Sequence, residues 1–588
     1  MRKKIPVGVS VFEDLILNND YYVDKTNYFV DVVEPKDETD VKVLLITRPR
    51  RFGKSLFMSA LASFLEPNYD NPNDLSLHQN LFSSLNIYQD KDFCDKYMGK
   101  IPVVTMSLKD TNTEEGYRAL VFSIGELLKD VALKLDFLNN CNLTVSEKIF
   151  FEKLSNLDED TFKESFLANS LEKLCKLIEK YYKVQPIVLI DEYDVPLAKC
   201  AGFKYYEKFR RWYSIFLGKA LKDSKSVKKA IITGCLRVTK ESIFTGFNNF
   251  SVNSLTSFEL NSVCGFTADE VNSLLEYYHF KDKFDIFKNW YDGYRIGNKE
   301  IYCPWDVVNY IKDLKSNCNA LPLSYWKNSG DPSSLKDIFS KNPNQYADDM
   351  ERLLKGESIE VKIDEGLSYQ QLSISNNKTS FWTLLFSTGY LTLDGIYDPN
   401  GTTLLKIPNE CIAKCFEDFA QWCFDVDNQN YSNAVLDLVD SLLRGDKYEA
   451  EVQLQSLLLT NISYRDFGKN TDKESYYQAF LEGILAPFNQ KAFYTFRPNI
   501  ELGKGFADIS IVGGKKSKRK LAAIIEIKHS SCENDLIKEA KKALEQIKNR
   551  EYAKGLFEIS PSVEQISCYG IAFNGKNLNI AFRKEKKA

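Results

Sequence analysis

Short, nearly continuous apolar runs alternate with longer amphipathic stretches in the first part of the chain. The runs at 41–47, 101–107, 186–190 and 229–233 consist mainly of aliphatic residues. Such runs are typical of strands that are covered on both faces of a sheet. The stretches between them carry apolar residues three and four positions apart, which is the helical period. This alternation predicts a parallel α/β sheet within residues 41–234.

The pattern changes twice in the remainder of the chain. Residues from about 261 to 420 are helical in pattern and aromatic, and 435–459 repeats the helical period around charged residues. A small α/β pattern closes the chain from about residue 463. No long linker, internal repeat or low-complexity segment separates these parts. We therefore expect three domains, at 1–260, 261–460 and 461–588.

Composition is that of an ordinary globular protein. The 588 residues are 44% hydrophobic and 27% charged, and a chain of this length exceeds one core. The net charge of -4 gives no overall attraction to nucleic acid, so any such binding requires a local basic patch. Only three histidines are present, which argues against His-based metal clusters and Ser-His-Asp catalysis.

The cysteines and the first residues indicate the cellular compartment. The 13 cysteines form no Cys-x-x-Cys pair, and Cys411, Cys415 and Cys423 lie in an apolar helical pattern that buried thiols explain better than zinc. Scattered thiols suit a reducing cytosol. Glu13 and Asp14 interrupt the first apolar run, so it is no signal peptide, and no run reaches the roughly 18 apolar residues of a membrane span. We expect a cytoplasmic protein with no membrane partner.

A candidate phosphate site lies between the first buried strand and the apolar helix that follows it. In a P-loop, backbone N–H groups cradle the phosphates, a lysine bridges the terminal phosphates and the next hydroxyl ligates Mg²⁺. Lys54 and Ser55 fit the last two roles, and Gly53 permits close backbone approach. Arg48 replaces the usual first glycine. The predicted nucleotide-binding residues are Arg48, Pro49, Arg50, Arg51, Phe52, Gly53, Lys54, Ser55 and Leu56.

A second acidic motif follows the apolar run at 187–190. Asp191 and Glu192 end that run, and ligands of open α/β sheets bind at the carboxyl edge of the strands. We expect Asp191 to hold Mg²⁺ and Glu192 to orient and deprotonate the attacking water. An acidic helix cap after a core strand is the alternative, and the upstream Gly-Lys-Ser makes the nucleotide site the better explanation.

Arg237 follows the strand that ends at Thr233 and Gly234. An arginine at this place would sense the terminal phosphate or stabilise transition-state charge. From composition alone, a surface ion pair explains it equally well.

Four motifs in order, RPRRFGKSL, VLIDEYD, TGCLRVTKESIFTGFNN and WYDGYR, resemble the hallmarks of the bacterial AAA-ATPase-like family. That family is similar to the STAND branch of P-loop ATPases, and the resemblance covers nearly the whole chain. It implies ATP binding with Mg²⁺, makes Arg48 an ordinary loop residue and favours Arg237 as a nucleotide sensor. It also implies a C-terminal domain of the PD-(D/E)XK nuclease superfamily. The expected fold is a multidomain α/β protein with a P-loop NTPase parallel sheet, a helical middle region and a C-terminal restriction-endonuclease-like α/β domain.

A second candidate site lies in the C-terminal α/β unit. Glu526 and Lys528 are two apart on a predicted strand and so share a face, and pairing with the preceding strand would bring Asp508 beside them. Two carboxylates and a lysine suit phosphodiester cleavage with Mg²⁺ or Mn²⁺, since the acids hold the metal and the lysine positions water or stabilises charge. A solvated strand face explains the residues as well. The resemblance to the D…ExK core of the nuclease superfamily favours the catalytic interpretation.

Two further residues accompany this constellation. Glu474, on a predicted helix, either completes the metal site or is a first-turn acid that favours the helix dipole. Gln546 lies on an amphipathic helix predicted at 534–552, before a tyrosine that matches the family pattern at Tyr552. It is a candidate for a contact with a nucleic-acid backbone.

The connection between the two predicted strands is strongly basic. Its charges would grip DNA phosphates beside the metal site, or would simply keep the turn in solvent. They are Lys515, Lys516, Lys518, Arg519 and Lys520.

The aromatic residues of the middle region, such as those of 290–295, are expected to be packing rather than base-stacking groups, because no basic residues interleave them. We expect this region to be a helical lid and connector that relays nucleotide state to the C-terminal domain.

The sequence thus leads to one main hypothesis and two rivals. The main hypothesis is an ATP-regulated nuclease that cleaves DNA, foreign or damaged DNA being suitable targets. One rival is a STAND-like sensor whose nuclease-like domain is an idle binding module; retention of Asp508, Glu526 and Lys528 disfavours it. The other is an ATP-driven remodeller. A sensor arginine that acts across subunits would require self-association.

Overall fold

The structure is a computed structural model, and it describes residues 2–35, 41–222, 224–237, 243–244, 247–326, 346–367, 369, 378–461, 473–485, 494–514 and 520–587. The chain divides into two compact units, Met1–Ala420 and Gln421–Ala588. The division falls inside one long helix, Glu410–Arg444.

The first unit is built on a five-stranded parallel sheet. Its strands are β1 (Val43–Thr47), β2 (Val103–Ser107), β3 (Ile187–Asp191), β4 (Lys229–Gly234) and β5 (Phe250–Asn253), in the order β2-β3-β4-β1-β5. β1, β3 and β4 are buried at every position, which confirms the prediction of strands covered on both faces. β5 was missed by the sequence analysis.

The register of the sheet brings the ends of three strands together. Thr47 pairs with Gly234, and Ile190 pairs with Ile232, so β1, β3 and β4 all end at the same edge. The helix Lys54–Leu65 follows β1 and buries Phe57, Leu61 and other apolar residues against the unit's core. The P-loop and the second acidic motif therefore lie at one carboxyl edge.

Helices surround this sheet and continue into the middle region. The α-helices of the first unit are Phe12–Leu17, Tyr28–Val33, Lys54–Leu65, Ser76–Phe82, Lys91–Tyr97, Tyr117–Lys134, Val145–Ser155, Glu164–Leu167, Ser170–Tyr182, Val195–Cys200, Tyr206–Leu221, Ala268–Tyr278, Phe284–Tyr291, Pro304–Ser316, Ala347–Leu354 and Lys378–Thr388. Short 3-10 helices lie at Asn86–Gln89, Asp136–Asn140 and Lys281–Lys283.

The middle region is not purely helical. It also contains a two-stranded antiparallel sheet, β6 (Tyr294–Ile296) with β7 (Lys299–Ile301), and a three-stranded sheet in the order β8-β10-β9. The latter strands are β8 (Ile359–Val361), β9 (Thr392–Leu393) and β10 (Thr403–Lys406). Strands of two to four residues are too short to give a recognisable alternation.

The second unit is a mixed five-stranded sheet in sequence order. Its strands are β11 (Tyr494–Leu502), β12 (Gly505–Gly513), β13 (Leu521–His529), β14 (Gln565–Asn574) and β15 (Asn577–Lys586). β13 and β14 are parallel and the other pairs are antiparallel. The helices are the later part of Glu410–Arg444, then Lys447–Asn461, Lys473–Leu485, Leu536–Asn549 and Tyr552–Ile559, with a 3-10 turn at Glu533–Asp535.

Alternate residues of β13 enter two separate cores. Ile525 and Ile527 pack with residues of the helices that precede the sheet, such as Leu481. Ile524 packs with Ile547 of the helix Leu536–Asn549. Both faces of β13 are therefore covered, and Glu526 lies on the face of Ile524, as the two-residue period requires.

No helix among the described ranges is both long enough and apolar enough to cross a membrane.

Candidate nucleotide and metal sites

The loop after β1 has the backbone shape of a phosphate cradle. Gly53, the N-cap of the helix Lys54–Leu65, has φ +85°, a left-handed conformation that glycine adopts freely. No atom lies within 4 Å of the place where its Cβ would be. The first N–H groups of a helix lack intrahelical partners. Open space beside such groups fits a phosphate.

Lys54 is held inside this loop. It is only 4% exposed, and its Nζ donates to the carbonyl oxygens of Arg48 at 3.0 Å and Pro49 at 2.9 Å. Burial by itself lowers the pKa of Lys54, but Cys235, Glu192 and other nearby acidic groups raise it overall. The ammonium group is therefore charged and fixed at the loop's centre.

Ser55 and Asp191 meet at the carboxyl edge of the sheet. The Ser55 hydroxyl donates to Asp191 Oδ2 at 2.5 Å, and the Thr233 hydroxyl donates to Asp191 Oδ1. A hydroxyl beside a carboxylate is the pair that P-loop proteins use to hold Mg²⁺. The sequence analysis did not include Thr233 in the site. It could have been found as a hydroxyl residue near the end of the apolar strand β4.

Glu192 lies next to this pair in a left-handed backbone conformation, with φ +53°. Such a conformation costs a non-glycine residue about 1 kcal/mol or more and is frequent at functional sites. Burial raises the pKa of the Glu192 carboxyl, Asp191 adds to the rise, and Lys54 opposes it. A carboxylate with a raised pKa is suited to accept a proton from water.

Arg48 is completely buried, and its guanidinium is directed to backbone acceptors. It donates to the carbonyl oxygens of Thr47, Asn253, Ser254 and Leu260 and to Asn253 Oδ1, over 2.6–3.2 Å. Its side chain thus joins the end of β1 to the segment that follows β5. That Arg48 contacts nucleotide stays a prediction.

The rest of the loop packs on the middle region of the same unit. The Arg51 guanidinium lies over the Trp305 ring at 4.2 Å, and Phe52 contacts Tyr294 edge-to-face at 5.0 Å. Pro49 lies so close to Gly389 that a Cβ there would be 2.8 Å from the proline Cβ. Trp305 and Tyr294 of the middle region are therefore packing groups beside the P-loop. Leu56 is half-buried at the start of the helix.

Arg237 forms an ion pair in this structure. Its guanidinium lies 4.0 Å from Glu365, and that carboxylate also accepts from Ser254 at 3.0 Å and Thr256 at 2.9 Å. Both interpretations of Arg237, sensor and ion pair, were open from the sequence. Its role as a sensor stays a prediction.

Asp194 is a further residue of this site that the sequence analysis did not assign. One oxygen, Oδ2, accepts from the N–H groups of Cys235 at 3.0 Å and Leu236 at 2.9 Å and from the Tyr369 hydroxyl at 2.8 Å. Asp194 thereby fixes the chain just after β4. In the sequence it could have been recognised as the third acidic residue of the VLIDEYD motif.

In the second unit, β12 and β13 bring Asp508 and Glu526 together. The register pairs Ile509 with Ile525, and Asp508 Oδ2 accepts from the N–H of Ile527 at 2.7 Å. Burial raises the pKa of the Asp508 carboxyl, while that hydrogen bond and the Lys528 charge lower it. The three residues D…ExK thus share one site.

Glu526 offers a buried carboxylate oxygen to a cation. The residue is 2% exposed; its Oε1 accepts from the Gln546 amide, and its Oε2 is buried with no hydrogen-bond partner among the described residues. Burial, together with the neighbouring Asp508, raises the pKa of Glu526 to about 8. A divalent cation would offset both the orphaned oxygen and the crowded negative charge.

Glu474 is engaged with the lysine of the same site. Its Oε2 lies 3.2 Å from Lys528 Nζ, and its Oε1 accepts from the N–H of His529 at 3.3 Å. Burial lowers the pKa of Lys528, but Glu474, Glu526 and Asp508 raise it overall. Within the described ranges, no three His, Cys, Asp or Glu side chains are grouped to hold a metal. Mg²⁺ is commonly held by one or two carboxylates plus water, which Asp508 and Glu526 would provide.

The structure describes only some of the residues that were predicted to contact nucleic acid. Lys520 pairs with Glu564 at 2.6 Å, and Tyr552 donates to the carbonyl of Phe506 at 2.6 Å. Lys515, Lys516, Lys518 and Arg519 lie outside the described residues. Whether these basic residues and Gln546 contact nucleic acid stays a prediction.

An open groove of about 890 Å³ runs along the outer side of the helix Leu536–Asn549. Its lining includes Lys538, Lys541 and Lys542, and it reaches Gln546, whose amide contacts Glu526. Lys542 pairs with Glu539 at 2.6 Å. The lining also includes Asp535 and Glu545, so the lysines lie on a mixed charged surface of the helix that carries Gln546.

Comparisons with known proteins match the two regions of the chain that contain the candidate sites. Residues 6–244 match the family model described as predicted AAA-ATPase, and residues 472–583 match that of the PD-(D/E)XK nuclease superfamily. An uncharacterized protein in the vnfD 5' region of Azotobacter chroococcum mcd 1 is 24% identical over 404 residues. That match covers 67% of this chain and 64% of the relative.

A solved structure, the ORC2 protein of Aeropyrum pernix in its ADPNP and ADP complexes, is 9% identical with a TM-score of 0.23. The match covers 67% of this chain and 92% of that one, and a TM-score this low supports no conclusion about this chain. The conclusion about its domains comes from the two family models. The chain carries an N-terminal AAA-ATPase-like domain and a C-terminal domain of the PD-(D/E)XK nuclease superfamily.

Proposed function

We propose that this protein is an ATP-hydrolysing regulator of a metal-dependent nuclease that acts on DNA. The observation that carries the proposal is the buried Oε2 of Glu526, which lies beside Asp508 and Lys528 and has no hydrogen-bond partner among the described residues. Foreign or damaged DNA is the target class that an ATP-controlled nuclease would suit.

In the first unit, four residues would divide the work of ATP hydrolysis. Lys54 binds the β- and γ-phosphates, while Ser55 and Asp191 hold Mg²⁺. Glu192 orients a water molecule and accepts its proton. The 2.5 Å contact between Ser55 and Asp191 supports this assignment, because it puts the two metal-binding groups side by side.

In the second unit, Asp508 and Glu526 would hold Mg²⁺ or Mn²⁺, which supplies a Lewis acid at the scissile phosphate. The Gln546 amide keeps one oxygen of Glu526 in place, so that the other faces the site. Lys528 would bind a phosphate oxygen and stabilise its developing charge. Glu474 orients that lysine through their 3.2 Å contact.

The partner in this proposal is DNA, held by charges near the site. Lys538 and Lys541 line the groove that leads to Gln546. Phosphate contacts of this kind position a nucleic acid without reading its sequence. The twelve described free cysteines support placing the protein in a reducing cytoplasm.

Regulation would begin at the P-loop. Arg51 and Phe52 pack directly on Trp305 and Tyr294 of the middle region, so movement of the loop on nucleotide binding would displace those rings. We infer a relay through the region 261–460 to the domain at 461–588, as in STAND-like switches.

A second candidate function is a sensor whose C-terminal domain binds DNA without cutting it. The Glu474–Lys528 ion pair favours it, because a catalytic lysine that is held by another carboxylate is less available to a phosphate.

Cleavage of plasmid and single-stranded DNA with Mg²⁺ or Mn²⁺ separates the two functions. We expect the wild type to cut, and Asp508→Asn and Lys528→Ala to lose about 100-fold or more of the rate. Lys176→Ala, which removes an exposed lysine paired with Glu172 on a helix of the first unit, is the control and should cut normally. A wild type that binds DNA but never cuts it would favour the sensor.

A further inference from the structure

Phe506 is a large apolar residue on the surface of the second unit. It lies on β12, and its side chain is 63% exposed, while the next residue, Ala507, is completely buried. A single exposed apolar side chain is ordinary in proteins. It is the position of Phe506 beside the candidate metal site that points to a ligand.

Phe506 comes two residues before Asp508 on the same strand. Side chains two apart on a strand lie on the same side of it, about 7 Å from one another. Burial follows this alternation, since Ala507 and Ile509 are fully buried, whereas Phe506 is exposed and Asp508 is half-buried. A nucleotide whose phosphate reaches a metal ion on Asp508 would therefore have a base within reach of the Phe506 ring.

The backbone around Phe506 is fixed on both sides. Its carbonyl oxygen accepts from the buried Tyr552 hydroxyl at 2.6 Å. The Lys504 N–H donates to the Arg550 carbonyl at 2.8 Å, and the Arg550 guanidinium donates to the Lys504 carbonyl at 3.0 Å. In the same turn Gly503 has φ +55°, and a Cβ there would lie 2.5 Å from the Arg550 carbonyl oxygen. The ring is thus attached to a rigid support, and a ligand that binds it has little backbone to order.

The charge beside Phe506 favours a base over a phosphate. Glu501 of β11 pairs with Phe506 across the sheet and is exposed. A carboxylate repels the phosphates of a nucleic acid, whereas the face of a nucleobase is uncharged and stacks on aromatic rings. A base inside a duplex is already stacked on its neighbours, so an unpaired base is the one that can offer its face to this ring.

We propose that Phe506 stacks on an unpaired nucleobase next to the scissile phosphate, so that the second unit acts on single-stranded DNA or on the unpaired part of a longer DNA. This inference rests on the proposed function and names the strand form of its substrate. Every base has a face that can stack, so this contact selects the strand form without reading the sequence.

Fluorescence anisotropy of the full chain tests the contact, with Ca²⁺ in place of Mg²⁺ and the DNA checked on a gel to be uncut. The two probes are a labelled single-stranded oligonucleotide and the duplex that it forms with its complement. For Phe506→Ala we expect the Kd for the single strand to rise by about tenfold or more, while the Kd for the duplex stays within about twofold.

Two further variants make this result specific to stacking. Phe506→Trp should bind the single strand at least as tightly as wild type, because indole offers a larger ring. Phe258→Ala removes a phenylalanine of the first unit that is 67% exposed, so it is the matched control and should bind both probes as wild type does.

Three results would overturn the inference. They are an Phe506→Ala variant that binds the single strand as wild type does, an equal loss of affinity for the single strand and the duplex, and a wild type that binds only the duplex. A wild type that binds neither probe is a different failure, because it would refute the proposed action on DNA along with this contact.

Discussion

Glu526 and Lys54 are both buried ionisable residues, and each is surrounded by other residues of its own candidate site. For Lys54 the loop carbonyls accept hydrogen bonds and keep the ammonium group satisfied. For Glu526 one oxygen accepts from Gln546, and the other has no hydrogen-bond partner among the described residues. The two oxygens of Glu526 are therefore unequally satisfied, and a bound metal ion would remove this imbalance.

This imbalance predicts a pH-dependent metal affinity. Burial raises the pKa of Glu526 from 4.5 to about 8, so the folded protein keeps a proton that the unfolded chain has lost in this range. The metal-free domain should lose stability as pH rises from about 4.5 to about 8. Mg²⁺ must displace the proton, so its affinity should rise by up to about tenfold per pH unit and level off above about pH 8.

Calorimetric Mg²⁺ titrations in two buffers of different ionisation enthalpy measure the number of protons that are released when Mg²⁺ binds. About one proton should be released per Mg²⁺ near pH 7. Glu526→Gln, which has no proton to lose there, is the control and should show weak binding with little proton release. An affinity that is flat from about pH 6 to pH 8 would contradict the pKa argument.

The grouping of Asp508, Glu526 and Lys528 was predictable from the sequence because it depends on local geometry. Side chains two apart on a strand share a face, and a short hairpin fixes the partner strand. The hydrogen bonds of the Arg48 side chain were not predictable. Their acceptors belong to Asn253 and Leu260, which are more than two hundred positions away in the sequence, so the sequence of the loop does not indicate them.

At the scale of elements, the strands that carry the sites were predictable and the smaller ones were not. β1, β3 and β4 are buried at every residue and appear in the sequence as apolar runs. β5, with the sequence FSVN, is half-buried over most of its four residues and mixes polar with apolar positions. Its place in the sheet comes from pairing with β1, a long-range contact that its own pattern does not encode.

The link between β1 and the segment after β5 predicts a structural role for the Arg48 side chain. Arg48→Ala would leave the buried Asn253 Oδ1 without its donor, and the Leu260 carbonyl would keep only its hydrogen bond from the Val263 N–H. We expect the free energy of unfolding of the first unit to fall by about 2 kcal/mol or more.

Denaturant unfolding of Arg48→Ala measures this cost, with Arg352→Ala as the control. Arg352 forms an exposed pair with Glu357, and its loss should cost about 1 kcal/mol or less. Unchanged stability together with lost ATP binding would show instead that Arg48 is a nucleotide ligand.

At the scale of the whole molecule, the long helix Glu410–Arg444 contains the division between the two compact units at Ala420 and Gln421. A helical pattern that continues through a division gives no composition change to mark it. The domain boundaries predicted at 260 and 460 remain predictions. The order of the two domains could be predicted from the sequence, because each domain contains its own motifs.

The central claim is that ATP at the first site controls cleavage at the second. The measurement that tests it most directly is the rate of DNA cleavage with and without ATP, in the wild type and in Lys54→Ala and Lys528→Ala. We predict that ATP changes the rate in the wild type by about tenfold or more, which is about 1.4 kcal/mol of coupling. Lys54→Ala should cut at a rate that ATP does not alter, and Lys528→Ala should not cut. Equal cleavage with and without ATP in a wild type that hydrolyses ATP would contradict the claim.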